Sequence, residues 1–170
     1  QSDGGLDLAA ATRSASLSWR HDPNDPVPTI GGSIASGAPL MDGGAFDQRE
    51  QAGAFGTRVP GRALAERADV CVFETAPLAR DVEVVGPVTA TLWVSTDALD
   101  TDFTIKLVDV YPPSAQWPQG YALNLTDGIL RLRFRDGFEQ ARLAEPGRIY
   151  KIDIVAFPTA NRFLAGHRIR

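Results

Sequence analysis

The sequence has few of the residues on which catalytic and metal sites depend. Its 170 residues include one cysteine and two histidines. One cysteine excludes a disulfide framework within the chain, and Cys71, inside the apolar string DVCVF, is predicted to be a small buried hydrophobic residue. A cupin-type metal site needs several clustered histidines, so His21 and His167 are expected to make structural hydrogen bonds instead. No metal or cofactor site is predicted.

The motifs of several enzyme classes are also missing. Neither a phosphate loop, GxxxxGK[ST], nor a dinucleotide motif, GxGxxG, occurs in the sequence. The nucleophile elbow of an α/β-hydrolase requires Gly-x-Ser-x-Gly, and the nearest stretch is GGSIASG. Neither Ser33 nor Ser36 in that stretch has glycines at both required offsets. We therefore predict that the chain carries no catalytic residue of its own.

Charge and hydropathy exclude two kinds of partner. The net charge is −4 and no basic run appears, so we expect no nucleic-acid partner. No apolar run approaches the roughly 18 residues of a membrane span, and no secretory signal is visible. We therefore expect no membrane partner. The compartment is not determined by the sequence, although these absences favour the cytoplasm.

What the sequence does contain is period-two alternation, which is the signal of β-strands. In VEVVGPVTATLWVST, four apolar residues from Val88 to Val94 alternate with Thr89, Thr91 and Trp93. Similar alternation occurs in DFTIKLVDVYP, ILRLRFR and RIYKIDIVAF. Strands are predicted near residues 70–74, 82–95, 103–111, 129–135 and 148–156.

Turn clusters separate these strands without intervening helices, which is typical of an antiparallel sandwich of jelly-roll type. The fold class is therefore predicted as an all-β, antiparallel jelly-roll β-sandwich with a long N-terminal coil. Residues 1–65 are expected to wrap the sandwich, which would occupy residues 66–170, with both parts forming one domain. Because GHRIR has the pattern of a starting strand, we expect the sandwich to continue beyond Arg170. A missing strand would leave an exposed edge, so self-association into a homo-oligomer is possible.

The coil contains a rigid segment, DPNDPVPTIGG, from Asp22 to Gly32. Three prolines and two glycines in eleven residues exclude a helix and a central strand there. Nothing catalytic stands out in the segment. Its rigidity therefore needs another explanation.

Three further groups of residues leave alternatives open. Arg131, Arg133 and Arg135 form either a solvated cationic strand face or a partly buried one, paired with Asp102, Asp109 or Asp153 and covered by the N-terminal coil. The acids Asp97, Asp100 and Asp102 are expected to cap a loop, with calcium binding as the alternative. Among the tryptophans, Trp93 is expected to pack, whereas Trp117, in a proline-rich loop, is the one free to face a ligand.

Five ordered blocks of sequence resemble a known domain. They are DPNDPVPTIGG, FDQRE, the run from DVCVFETAPL to DFTIKLVDVYP, LNLTDGILRLRFRDG and LAGHRIR. Together they resemble the C-terminal, galactose-binding-like jelly roll of the CocE/NonD serine hydrolases. This family includes cocaine esterases and α-amino-acid ester hydrolases and is related to X-Pro dipeptidyl peptidases. The resemblance runs from about Trp19 to Arg170.

The resemblance implies an accessory role. In that family the catalytic triad lies in an α/β-hydrolase domain, with a helical cap domain beside it. We therefore expect upstream α/β-hydrolase and cap domains of the same protein as partners, and a small acyl or aminoacyl ester or amide as substrate. The parent protein would be a serine hydrolase, whereas this chain alone would lack the triad.

The resemblance also explains the rigid segment. In the family, the equivalent coil runs towards the hydrolase domain, and the residues after its two glycines help to wall the acyl side of the substrate pocket. By position these residues are Ile34, Ala35 and Ser36. Because SIASGAPLMDGG contains extra residues, Leu40 or Met41 could fill the role instead. The alternative for all five is an ordinary surface loop.

Two other functions remain open from the residues alone. One is a free-standing carbohydrate- or ligand-binding module, for which Trp117 is the candidate contact. The other is a purely structural interaction domain. An exposed aromatic pair at the spacing of a sheet surface would favour the first of these.

Overall fold

The structure is a computed structural model that describes residues 4–7, 9, 15–37 and 40–170. It contains five strands: β1 (Val82–Val94), β2 (Asp102–Tyr111), β3 (Tyr121–Arg131), β4 (Tyr150–Phe163) and β5 (Arg168–Ile169). Two single-turn 3₁₀ helices, Leu64–Glu66 and Leu132–Phe134, complete the regular structure. Within the described ranges, no helix is long and apolar enough to cross a membrane.

The strands form two sheets. One contains β1 and β4, and the other has the order β3-β2-β5. Strands β2 and β5 are antiparallel, with Asp109 opposite Ile169 and Val110 opposite Arg168. The predicted fold class, an all-β antiparallel sandwich, is confirmed. The jelly-roll strand order stays a prediction.

The predicted alternation is confirmed in the two longest strands. In β1, half-buried and exposed residues alternate over all 13 positions, so Thr89, Thr91 and Trp93 face solvent. Strand β4 buries Tyr150, Ile152 and Ile154 and exposes the residues between them. Branched and aromatic side chains fit a pleated surface that is buried on one side.

The chain divides into two compact units: Val85–Lys106 with Thr126–Ala160, and Gln1–Val84 with Leu107–Leu125 and Asn161–Arg170. The first of these has an apolar core of Phe103, Leu132, Ala144, Tyr150, Ile152 and Ile154. The second combines apolar residues with buried polar ones, among them Gln48, Glu50, Arg67, Asp109, Asn124 and His167. Hydrogen bonds must therefore satisfy much of its interior.

The predicted strand at 129–135 is wrong in its bounds. Strand β3 starts at Tyr121 and ends at Arg131, and the 3₁₀ turn Leu132–Phe134 follows. Asp100 accepts a hydrogen bond from the Arg133 amide at 2.9 Å, and the Leu132 amide donates to Thr101 at 2.9 Å. These bonds turn the chain while Leu132 stays fully buried, so the apolar periodicity continues after the strand has ended.

The predicted strand at 70–74 is also absent. Only Glu74 makes a bridge there, parallel to Gly5. Cys71 is exposed, so the prediction of a buried cysteine is wrong. An extended segment with a single bridge has no sheet layer to cover both of its faces.

Before the first 3₁₀ helix, the described residues form coil, turns and isolated bridges. This agrees with a long N-terminal coil. Its wrapping of the sandwich as part of one domain, and the boundary at residue 65, stay predictions. Ala38 and Pro39, in the stretch expected to carry pocket residues, lie outside the described residues.

Candidate functional site

The segment Asp22–Gly32 is held mainly through its carbonyl groups. The Ile30 carbonyl accepts a hydrogen bond from Gln48 Nε2 at 2.9 Å, and the Asp25 carbonyl accepts one from Arg67 Nη2 at 2.7 Å. Pro28 and Ile30 are buried. Because prolines offer no amide donors, amide and guanidinium side chains elsewhere in the unit supply the bonds that fix this segment.

Arg67 is the centre of this attachment. Its side chain is almost fully buried, and its Nε and Nη2 atoms lie 2.8 Å from the two carboxylate oxygens of Asp69. The hydrogen bonds that Arg67 donates to Asp69 raise the pKa of Arg67 and lower the pKa of Asp69. Both groups therefore stay charged, and the bidentate pair orients the guanidinium towards Asp25.

Gly31 and Gly32 end the segment in a backbone conformation that other residues rarely adopt, with φ values of 64° and 110°. A Cβ atom on Gly31 would lie 2.7 Å from the Phe46 ring and still closer to the Gly44 carbonyl. Gly32 and Gly44 exchange two backbone hydrogen bonds of 2.8 and 2.9 Å. The glycines therefore close the base of a hairpin, Gly32–Gly44.

The five predicted pocket residues all lie on the Gly32–Gly44 hairpin. Ile34, Ala35 and Ser36 are on its first arm, and Leu40 and Met41 lie on the side that returns to Gly44. The Ser36 amide donates to the Met41 carbonyl at 3.2 Å, so the two alternative sets are neighbours. Ile34 is 62% exposed and Leu40 is 55% exposed. The hairpin thus presents two large apolar side chains from a base that hydrogen bonds hold in place.

A second loop, residues 51–61, was not predicted from the sequence, and it is called the Glu50 loop after the residue that anchors it. The side chain of Glu50 is fully buried, and its Oε2 accepts bonds from the Arg58 and Val59 amides at 2.7 and 3.0 Å. Its Oε1 accepts a 2.7 Å bond from Arg62 Nε. Burial alone would raise the pKa of Glu50, but these bonds outweigh it and lower the pKa. The loop presents Phe55, which is 71% exposed.

The only sequence signal for the Glu50 loop is an acid followed by a Gly- and Pro-rich stretch that ends in arginine.

The three arginines do not share one strand face. Arg131 pairs with Asp102 at 2.8 Å, as one alternative predicted. Arg133 pairs with Asp100, at 2.6 Å, and not with any of the acids proposed for it. Arg135 donates to two backbone carbonyls and lies 4.3 Å from the Tyr150 ring centroid. The group is therefore a set of separate contacts and not a cationic ladder.

Two of the three acids in the cluster bind those arginines, and Asp97 is exposed. Asp100 and Asp102 bind guanidinium groups, and Asp100 also accepts the Arg133 amide, so it caps a turn distant in sequence and not its own loop. Among the residues that the structure describes, no group of three or more His, Cys, Asp or Glu residues could hold a metal ion.

The histidines and tryptophans differ in exposure. His167 is buried against Asp109, as a structural hydrogen bond requires, whereas His21 is exposed. Trp93 is 68% exposed beside Lys151, so the prediction that it packs in a core is wrong. Trp117 is half-buried against Tyr121 in a cleft.

Residues 4–170 match the family of X-Pro dipeptidyl-peptidase C-terminal non-catalytic domains. The chain belongs to this family. It is 40% identical to a cocaine esterase from Rhodococcus sp. (strain MB1 Bresler) over 166 aligned residues. The aligned region makes up 98% of this chain and 25% of that protein. The chain thus spans about a quarter of the length of that relative.

Two solved structures are also similar. An aminopeptidase from a marine sediment Thaumarchaeota archaeon superposes with a TM-score of 0.59 at 35% identity, over 62% of this chain and 18% of the other. An α-amino-acid ester hydrolase superposes with a TM-score of 0.59 at 30% identity over the same shares. The resemblance to the C-terminal domain of CocE/NonD hydrolases, stated from the sequence, is confirmed.

Proposed function

We propose that this non-catalytic domain serves a serine hydrolase that cleaves esters or amides of small acyl or aminoacyl groups. In this role the Gly32–Gly44 hairpin walls the acyl side of the substrate pocket. The chemistry belongs to upstream α/β-hydrolase and cap domains of the same protein, where a serine attacks the carbonyl and a histidine transfers its proton. The names of the relatives, an esterase, an aminopeptidase and an ester hydrolase, support this substrate class.

The observation that carries the proposal is the exposure of Ile34 and Leu40 on a hairpin whose base is fixed. Both side chains are more than half exposed, while the base of the hairpin cannot accept a Cβ at Gly31. A mobile loop would lose conformational entropy on forming a pocket wall, and a hairpin fixed beforehand avoids most of that cost. Rigid presentation of apolar side chains is what a specificity wall requires.

The test uses the full-length hydrolase that contains this chain. Ile34→Ala and Leu40→Ala are compared with wild type on p-nitrophenyl acetate, butyrate and benzoate. We expect the ratio of kcat/KM between acyl groups to change by about tenfold or more, because one methylene of pocket fit is worth roughly 1–3 kcal/mol. Val85→Ala, which alters an 80% exposed residue of the other compact unit, is the matched control.

Labelling by a small phosphonate probe shows whether the serine keeps its reactivity in each variant. Retained labelling with a changed acyl preference supports the wall. An unchanged acyl preference in both hairpin variants would remove the wall from the proposal and leave the family assignment intact.

A further inference from the structure

The loop after β2 builds an aromatic cleft at one end of the three-stranded sheet. The Trp117 and Tyr121 rings lie 4.3 Å apart at 45°, and the Tyr111 ring lies 6.0 Å from that of Tyr121. The Gly120 amide donates to the Trp117 carbonyl at 2.9 Å, and a Cβ on Gly120 would lie 2.7 Å from the Tyr111 carbonyl oxygen. The loop is therefore tightly closed, and Trp117 is held in a fixed position.

Polar side chains surround these rings. Asp47 Oδ1 accepts a 2.9 Å bond from the Ala122 amide, and Arg49 Nη1 donates to the Gly61 carbonyl at 2.5 Å. Gln119 and Glu66 are exposed at the edge of the cleft. An acceptor, a guanidinium and a carboxamide therefore converge beside flat apolar rings, and two of these three groups are already fixed by the backbone.

The cleft has the size of a small-ligand site. Two adjoining cavities of about 300 and 240 Å³ share Asp47, Arg49, Gln119 and Gly120. Pockets that hold small molecules start at about 300 Å³ and combine apolar walls with a few oriented polar groups. The two cavities adjoin through these four shared residues, and each has a volume that could hold a sugar ring.

The charges of the cleft are largely balanced within the protein. Arg49 Nε lies 3.8 Å from Asp47 Oδ2, and Arg170 is paired with Glu74 at 2.7 Å. Three of the four charged residues that line the cleft are therefore already paired, and Glu66 lies exposed at its edge, so a strong anion is not favoured. A neutral ligand with hydroxyl groups and a flat C–H face fits better, because hydroxyls both donate and accept.

We propose that this cleft binds a neutral saccharide, with Trp117 as the stacking platform and with Gln119, Arg49 and Asp47 bonding to its hydroxyls. This site is separate from the Gly32–Gly44 hairpin and does not depend on the role proposed for it. It adds a carbohydrate-binding function to an accessory domain.

The experiment titrates the full-length protein with cellotetraose, maltotetraose, xylotetraose and chitotetraose, and follows binding by calorimetry and tryptophan fluorescence. We expect saturable binding of at least one of them, and a loss of at least about tenfold in affinity in Trp117→Ala, as for a central aromatic anchor. Trp93→Ala removes another exposed tryptophan and should leave the affinity unchanged. Acyl preference should stay at the wild-type value in both variants.

Gln119→Ala, at an exposed position, should weaken saccharide binding several-fold. If Trp117→Ala fails to fold, the affinity of Gln119→Ala tests the proposal in its place. Four results would overturn the proposal. The first is the absence of saturation by any of the four sugars below about 10 mM. The second is unchanged affinity in a folded Trp117→Ala variant, and the third is an equal loss in Trp93→Ala. The fourth is full affinity in Gln119→Ala when the Trp117 variant gives no folded protein.

Discussion

His167 Nδ1 lies 2.8 Å from Asp109 Oδ1, and both side chains are buried. Asn161 Nδ2 is 3.3 Å from the second oxygen of Asp109, and the Tyr111 ring centroid is 4.2 Å from that of His167. Asp109 belongs to β2, and His167 immediately precedes β5. The pair therefore fastens the short last strand to the middle of its sheet.

Replacing His167 by alanine should lower the free energy of unfolding by about 3 kcal/mol, because it leaves the Asp109 carboxylate buried without its main partner. Chemical denaturation of the two histidine variants measures the effect. His21→Ala, at an exposed position, should stay within about 0.5 kcal/mol of wild type. Equal stabilities of the two variants would show that the buried pair does not stabilise the fold.

Removing the Glu50 carboxylate should destabilise the domain in a pH-dependent way. Its folded pKa is lowered, so its contribution is complete above its ordinary value of 4.5 and is lost as the pH falls through the folded value. Glu50→Gln should therefore differ most from wild type near pH 7, by about 3 kcal/mol, and progressively less in acid. Denaturation midpoints between pH 3 and 7 give the curve.

Glu139→Gln, at an exposed position, is the control for Glu50→Gln. Its denaturation midpoint should follow that of wild type at every pH. A difference in stability between Glu50→Gln and wild type that stays constant with pH would contradict the link between the lowered pKa of Glu50 and the stability of the fold.

Asp100 should contribute more to the free energy of unfolding than its partner Arg133. Arg133 is 37% exposed, so Arg133→Ala should cost about 1 kcal/mol and not the larger value of a fully buried pair. Asp100→Ala loses the same pair and also the cap on the Arg133 amide, for a total of about 2 kcal/mol. Thermal denaturation orders the two variants, and Asp97→Ala, at an exposed position, should match wild type.

Lys106 is predicted to destabilise the domain. Its Nζ atom is buried and has no hydrogen-bond partner among the described residues, and burial lowers its pKa against a weak opposing effect of Asp127. Lys106→Met should raise the free energy of unfolding by about 1 kcal/mol at pH 7. Wild type should recover part of that difference as the pH rises towards 10.5, because the unfolded chain then binds more protons than the folded one.

Lys151→Met, at an exposed lysine, is the control for Lys106→Met and should not show the alkaline recovery. A destabilised Lys106→Met variant would mean that the ammonium group has a favourable partner.

The sequence predicted strands best where side-chain pattern and backbone pairing agree. In β1 and β4, branched and aromatic residues alternate with polar ones. Strand β1 lies close to its predicted bounds, whereas β4 begins near its predicted start but continues to Phe163, beyond the predicted end at residue 156. In β3 the pattern misled, because ILRLRF keeps its alternation after Arg131 although Asp100 turns the chain there. A hydrogen bond to an acceptor more than 30 positions away cannot be detected in the local periodicity of the sequence.

The same limit applies to the candidate site. The glycines and prolines of Asp22–Gly32 indicated a rigid segment, and the resemblance placed the pocket residues on what the structure shows to be one hairpin. The Glu50 loop was missed because its stability comes from one buried carboxylate that collects donors from residues 58–62. Such convergence depends on tertiary folding and not on spacing.

The Gly32–Gly44 pair has a consequence for the specificity role proposed for its hairpin. The base of the hairpin is fixed by Gly31, by the paired glycines and by the anchored coil, and the contacts within it between Ser36, Gly37 and Met41 are made by backbone groups. Side chains between the two glycines can therefore be exchanged without rebuilding the sandwich. Under the wall role proposed above, libraries confined to the described residues 33–37 and 40–43 would sample acyl selectivity while the scaffold keeps its stability.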